Sequence, residues 1–143
     1  MVNYNNMKHL LSFLIIVLLF SCQNNKDNKI NSENISLDIN TAIPCGLIIN
    51  ELVTNSIKHA FQGIIKGEII IELKYEDDYL KMKVQDNGVG FPEEVNLNNI
   101  KTLGLQLVIS LTKQLDGSIE LIKGNGTCFN IIFKEQSNMK EDT

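Results

Sequence analysis

An acid and two closely spaced glycines follow a predicted strand, in the stretch DNGVG at residues 86–90. The preceding residues alternate between apolar and polar side chains, so Asp86 is expected where a strand ends. A carboxylate there can accept hydrogen bonds from an amine, and Gly88 and Gly90 let a flat ring or phosphates approach the backbone. An ordinary turn would explain the same residues, so this motif needs support from elsewhere in the chain.

Polar side chains form one stripe on a helix that is predicted over residues 44–61. At about 100° per residue, one side of this helix collects Glu51, Asn55, Lys58 and Gln62, with His59 at its edge. The other side is expected to be buried and carries Ile49, Leu52, Val53, Ser56, Ile57 and Ala60. A solvated face with weak ion pairs is the alternative interpretation, and a binding role requires a pocket that faces the stripe.

Two further glycine-containing stretches lie downstream. In TLGLQL, residues 102–107, Gly104 stands at the opening of a second helix, where free N–H groups and the positive dipole end favour an anion. In GNGT, residues 124–127, a hairpin turn explains the glycines but does not require Thr127. Packing alone is the alternative explanation for Gly104.

The hydrophobic pattern predicts the elements that would position these residues. They are a short strand at 35–39, the helix at 44–61, strands at 68–76 and 79–85, a helix at 103–115 and a final hairpin at 118–133. The second helix should bury Leu107, Val108, Leu111 and Leu115. This order of elements predicts an α+β fold, a two-layer sandwich with helices packed on one face of a mixed, mostly antiparallel sheet.

The composition is that of one folded domain, since 43% of the 143 residues are hydrophobic and 21% are charged. Nucleic-acid binding is not expected, because 13 basic against 17 acidic residues give a net charge of −4 without a basic run. The three cysteines, Cys22, Cys45 and Cys128, lack the spacing of a zinc site or a disulfide framework. Cys45 and Cys128 are expected in the core.

The first residues differ from the rest of the chain. An uncharged apolar run at 10–20 follows a basic residue and precedes Cys22, as in the lipobox of bacterial lipoproteins, where the cysteine is lipidated. The run is short for a membrane-spanning helix, so a leader and a short membrane anchor both stay open, and the true start is Met1 or Met7. The predicted organisation is a leader or anchor at 1–22, a polar tether at 23–34, a folded domain at 35–135 and a polar tail at 136–143.

Four motifs occur in order along the folded part. They are Glu51-x-x-x-Asn55-x-x-Lys58-His59, Asp86-x-Gly88-x-Gly90, Gly104-x-Gln106 and Gly124-x-Gly126-Thr127. In this order and fold they resemble the ATP-binding domain of bacterial sensor histidine kinases, a sandwich shared with gyrase-type ATPases and Hsp90-like chaperones. The segment AIPCGLIINELVTNSIKHAF is similar to a subfamily whose helix carries Asn-Glu-Leu-x-x-Asn-x-x-Lys-His-Ala-Phe. The resemblance covers residues 36–133.

The resemblance implies a site for ATP and Mg²⁺, with a role for each matching residue. Asp86 would accept the adenine amine, Gly88 and Gly90 would make room for the ring, and Thr127 would complete the adenine network. Asn55 would hold Mg²⁺ through its amide oxygen, and Glu51 is the candidate base or orienter of a metal-bound water. The remaining implied contacts are Lys58 with phosphate, His59 with adenine or ribose, and Leu103, Gly104 and Leu105 at the helix start with the phosphates.

The resemblance also implies partners. The γ-phosphate of ATP would pass to a histidine on a dimerisation domain that is separate or missing, since the only other histidine is His9 in the leader, and then to a response regulator. Membrane association through the leader is expected, with the ATP domain on the cytoplasmic side, although a lipoprotein-like leader conflicts with that side. Two alternatives remain, namely a protein-serine kinase of the anti-sigma-factor type and a non-catalytic nucleotide-binding remnant.

Overall fold

Five strands form one sheet, and two α-helices pack against it. The computed structural model describes the backbone of residues 28–32 and, with their side chains, residues 35, 37–64, 66–94, 96–100 and 102–134. The predicted leader with Cys22 and the predicted tail at 136–143 therefore lie outside the described residues. Within the described ranges, no helix is both long enough and apolar enough to cross a membrane.

The order of elements confirms the predicted α+β sandwich. The elements are β1 (Asn28–Ser32), α1 (Ile39–Asn55), a π-helical turn (Ser56–Ala60), β2 (Ile69–Glu76), β3 (Tyr79–Asp86), α2 (Leu103–Gln114), β4 (Ser118–Gly124) and β5 (Gly126–Lys134). The strands lie in the order β1-β2-β3-β5-β4, and β1 is parallel to β2 whereas the other neighbours are antiparallel.

Strand β1 corrects part of the predicted tether. It lies inside residues 23–34 and pairs in register with β2, from Asn28 opposite Ile69 to Ser32 opposite Leu73. Its polar sequence, NKINS, carries little of the apolar alternation by which a half-buried strand is recognised. The pairing depends on a partner that lies more than thirty residues away along the chain.

The first helix starts earlier than the sequence indicates. Asp38 caps it, because its carboxylate accepts hydrogen bonds from the Asn40 amide at 2.7 Å and from the Thr41 hydroxyl at 2.9 Å. The strand predicted at 35–39 is therefore wrong for its described residues, since Ile39 is already helical. Pro44 lies inside α1 rather than at its start, at the cost of one backbone hydrogen bond near the helix N-terminus.

The buried side of α1 agrees with the predicted one. Ile49, Leu52, Val53, Ser56 and Ala60 are all buried, and Ile57 is partly buried. Their neighbours Cys45 and Ile48 are fully buried, which confirms the prediction for Cys45. This orientation leaves Glu51 and Asn55 on the opposite, partly open side of α1.

Two predicted core positions are corrected. Leu107 of α2 is 43% exposed, because α2 buries Leu105, Val108 and Thr112 instead. Cys128 is only partly buried on β5, and that burial raises the pKa of its thiol. The inward face of the sheet carries Ile69, Ile71, Leu73, Leu80, Met82, Val84, Phe129, Ile131 and Phe133.

The orientation of α1 can be tested with two isoleucines of the same helix. Ile48 is fully buried, whereas Ile43 is 56% exposed. We expect Ile48→Ala to lower the free energy of unfolding by about 2–5 kcal/mol, because it leaves a cavity, and Ile43→Ala to change it by less than about 0.5 kcal/mol. Urea unfolding measures both values, and equal losses in the two variants would show that α1 is turned differently.

Candidate active site

The side chain of Asp86 lies at the centre of the candidate site. Asp86 is the last residue of β3 and is only 4% exposed. Its Oδ1 accepts hydrogen bonds from the backbone N–H of Gly88 at 2.9 Å and of Thr127 at 3.1 Å. The sheet register brings these groups together, since Asp86 lies opposite Thr127 in the pairing of β3 with β5. Two of the predicted motifs therefore meet at one carboxylate oxygen.

A third element reaches the other oxygen of Asp86. The Ser56 hydroxyl, at the start of the π-helical turn, lies 2.7 Å from Asp86 Oδ2 and 3.2 Å from the carbonyl oxygen of Leu52. The hydroxyl has one proton, and the shorter contact with the carboxylate is the stronger bond. From the sequence alone, Ser56 is expected only on the buried side of the helix. Its position next to Asn55, polar among apolar neighbours, was the signal for a role in the site.

The loop after β3 is fixed against the π-helical turn. The backbone N–H of Val89 donates to the carbonyl oxygen of Ala60 at 2.8 Å, and a Cβ on Gly88 would collide with Ala60. Gly88 is therefore required by the contact between two protein segments, whereas the sequence suggested room for a ligand. Gly90 has a φ of +72°, which favours glycine on its own account.

Asn87 holds the same loop from the other side. Its Oδ1 accepts from the Glu68 amide at 2.8 Å, and its Nδ2 donates to the Lys66 carbonyl oxygen at 3.3 Å. The backbone around Asp86 is thus attached both to the segment before β2 and to the end of the first helix.

Gly126 allows β5 to approach Asp86. It has a φ of +99°, and a Cβ there would collide with the carbonyl oxygen of Asp86. Gly124, in the same hairpin, has open space where a Cβ would lie. Of these two glycines, Gly126 is the one that the site needs.

Glu51, the first residue of the polar stripe, lies against the start of α2. A Cβ on Gly104, in the first turn of α2, would collide with the Glu51 carboxylate, so the missing side chain is what admits Glu51 there. Asn55 follows Glu51 by about one helical turn, and both side chains are partly buried. The N-cap residue of α2, Thr102, makes no side-chain capping bond. The Glu51 carboxylate and the N-terminus of α2 are thereby neighbours, and Asn55 lies one helical turn farther along the first helix.

The remaining predicted site residues differ in exposure. Lys58 and His59 are exposed in the π-helical turn, and Leu103 is 82% exposed at the start of α2. Leu105 is 5% exposed and belongs to the core, so only its backbone is available to a ligand. Thr127 is also buried, and its backbone N–H serves Asp86.

The segment that joins the loop after β3 to α2 has its own attachments. Lys123 of β4 donates through Nζ to the carbonyl oxygens of Pro92 at 3.2 Å and Glu93 at 2.6 Å. The ring of Phe91 packs edge-on against Phe129, with centroids 6.1 Å apart. This segment therefore lies close to the sheet along its first residues.

The donor groups in the site suit Mg²⁺ bound together with phosphate. Among the described residues, no group of three or more His, Cys, Asp and Glu side chains could enclose a metal ion. Mg²⁺ usually takes only one or two protein oxygens and completes its shell with phosphate and water. The amide oxygen of Asn55, on the partly open side of α1, fits that pattern as a ligand, and Glu51 lies about one helical turn away.

Known proteins share this sequence and fold. Residues 40–137 match the family described as histidine kinase-, DNA gyrase B- and HSP90-like ATPase. Blue-light-activated histidine kinase 2 of Erythrobacter litoralis is 28% identical over 107 residues, which are 72% of this chain and 30% of that protein. The serine-protein kinase RsbW of Listeria innocua is 41% identical over 54 residues, which are 38% of this chain and 34% of that protein.

A solved structure agrees with the arrangement of elements. The histidine kinase domain of the Erythrobacter litoralis blue-light activated histidine kinase superposes with a TM-score of 0.77 at 23% identity, covering 90% of this chain and 59% of that one. In the sequence comparisons, this chain spans about a third of the length of blue-light-activated histidine kinase 2 and of RsbW. The family match covers well over half of the chain. The buried aspartate, the glycine motifs and the two-layer fold of the chain agree with that match. The chain therefore belongs to the histidine kinase-, DNA gyrase B- and HSP90-like ATPase family.

Proposed function

We propose that this chain is the ATP-binding catalytic domain of a histidine kinase, which donates the γ-phosphate of ATP to a histidine on a separate dimerisation domain. The observation that carries the proposal is the buried Asp86 carboxylate, held by three hydrogen bonds at the end of β3. The nucleotide is proposed to be ATP because the chain belongs to an ATPase family.

Adenine recognition would use the remaining acceptor position of Asp86. A carboxylate has about four lone-pair sites, and three of them are occupied by Gly88, Thr127 and Ser56. The exocyclic amine of adenine is a donor that complements the fourth. A buried, water-poor acceptor of this kind gives strong discrimination, because a ligand that lacks the donor leaves it unpaired.

The phosphates would lie where α1 and α2 meet. We assign Asn55 as the Mg²⁺ ligand, with Lys58 contributing positive charge and the N-terminal turn of α2 contributing N–H groups. When bound, Mg²⁺ would neutralise charge on the transferred phosphoryl group. His59, exposed in the same turn as Lys58, is assigned to the adenine or ribose.

The transfer step requires a second domain that presents a histidine in line. A ring nitrogen of that histidine would attack the γ-phosphorus as the bond to the β–γ bridging oxygen breaks and ADP leaves. Glu51 would accept the proton that the imidazole loses. A response regulator would then take the phosphoryl group. Because the proposed reaction uses ATP, we propose that this domain lies on the cytoplasmic side.

Protein-serine kinase activity is the second candidate. The specific observation in its favour is the 41% identity to RsbW over 54 residues. The phosphorylated product separates the two candidates, since phosphohistidine is labile in acid and stable in alkali whereas phosphoserine survives acid. An acid-stable product formed with a serine-bearing partner would favour the second candidate.

Adenine recognition by Asp86 predicts a large effect of one substitution. Asp86→Asn should weaken ATP binding by at least about 2 kcal/mol, because a charge-assisted hydrogen bond is lost in a buried position. Calorimetric titration of the full chain with Mg-ATP measures this. Asp78→Asn is the control, because Asp78 is exposed in the turn between β2 and β3. Equal affinities for the two variants would refute the assignment of Asp86.

The assignment of Asn55 predicts a different pattern. Asn55→Ala should remove the Mg²⁺ dependence of ATP binding and abolish transfer to an added histidine-bearing partner, while metal-free ATP binds nearly as before. Binding with and without EDTA, together with phosphate transfer, measures both effects. Asn50→Ala changes the same residue type elsewhere on α1 and should retain the Mg²⁺ dependence. Loss of metal-free binding in Asn55→Ala would contradict the division of roles.

A further inference from the structure

We propose that Ser56 is a positioning residue for base recognition, which fixes the Asp86 carboxylate so that its free lone pair selects adenine over guanine. The inference rests on the proposed function, because it concerns how the same site distinguishes nucleotides. Ser56 lies outside the four motifs by which the site was identified.

The two oxygens of the Asp86 carboxylate leave one acceptor position for a ligand. Each carboxylate oxygen has two lone pairs, and both of those on Oδ1 are used by the backbone N–H groups of Gly88 and Thr127. Among the residues that the structure describes, Oδ2 accepts from Ser56 alone. The one remaining acceptor position is therefore on Oδ2, the oxygen that Ser56 holds.

The bond between Ser56 and Asp86 is short and shielded from water. The two oxygens are 2.7 Å apart, Ser56 is 7% exposed and Asp86 is 4% exposed. A hydroxyl that donates to a carboxylate in such surroundings makes a stronger bond than in water. The π-helical turn places the hydroxyl there, directly after Asn55, so one backbone segment positions the groups assigned to the base and to the metal.

The fixed carboxylate distinguishes the two bases by whether the facing atom is a hydrogen-bond donor or an acceptor. Adenine presents an amine where guanine presents a carbonyl oxygen, so an acceptor-only group bonds with adenine and repels guanine at that atom. Without the Ser56 hydroxyl, Oδ2 loses the partner that fixes it, and the carboxylate can shift within its site. A shifted carboxylate leaves room for a water between Oδ2 and a guanine carbonyl oxygen. Because that water can donate to both oxygens, loss of the hydroxyl relaxes the preference for adenine.

A matched pair of hydroxyl deletions tests this role. Ser56→Ala removes the hydroxyl, and Ser56→Thr retains one. The control is Thr112→Val in α2, because Thr112 is also buried and its hydroxyl donates to the carbonyl oxygen four residues earlier, at 2.9 Å, without contact to Asp86. The dissociation constants for Mg-ATP and Mg-GTP are measured for each full-length variant by calorimetry, with a thermal melt to establish folding.

We expect Ser56→Ala to weaken ATP binding on the order of tenfold and to lower the ratio of ATP to GTP affinity by a similar factor. Ser56→Thr should restore the ratio of ATP to GTP affinity. Thr112→Val should lower the melting temperature and leave that ratio unchanged. An unchanged ratio in a folded Ser56→Ala protein would overturn the inference and leave Ser56 with a structural role. If the wild-type chain bound neither nucleotide, the proposed function itself would fail, and the two failures are thus distinguishable.

Discussion

A carboxylate that is 4% exposed can be accommodated only if hydrogen bonds replace its water, and around Asp86 three donors do so. They come from the loop after β3, from β5 and from the turn after α1. Each donor requires its own element to lie in a particular place. This one side chain is therefore coupled to three features of the fold. They are the position of the first helix relative to the sheet, the register of β3 with β5 and the path of the loop after β3.

The glycines of the site follow from the same constraint. A Cβ on Gly88 would collide with Ala60, and a Cβ on Gly126 would collide with the backbone oxygen of Asp86. Both glycines allow protein segments to pack around the carboxylate. Gly104 has a comparable part in the neighbouring region, since it admits the Glu51 carboxylate to the start of α2. A nucleotide that binds here would meet groups already held in place, which lowers the cost of ordering them.

Sequence alone predicted what depends on local pattern. The alternation of apolar and polar residues predicted β2 and β3. The 3.6-residue period predicted the buried side of α1, including Leu52 and Val53. The start of α1 was misplaced because Pro44 suits a first helical turn, whereas the cap is formed by Asp38. The bond between Ser56 and Asp86 joins residues thirty positions apart, and no local pattern encodes it.

The central claim is that adenine binds at Asp86, and the amide protons of Gly88 and Thr127 report on that carboxylate directly. In ¹⁵N-labelled full-length protein, titration with Mg-ADP should shift both resonances in a saturable manner, and Mg-GDP at the same concentration should shift them far less. The amide of Thr112, on α2, provides the internal reference. Saturable ADP binding that leaves Gly88 and Thr127 unshifted, or equal shifts with ADP and GDP, would contradict the account.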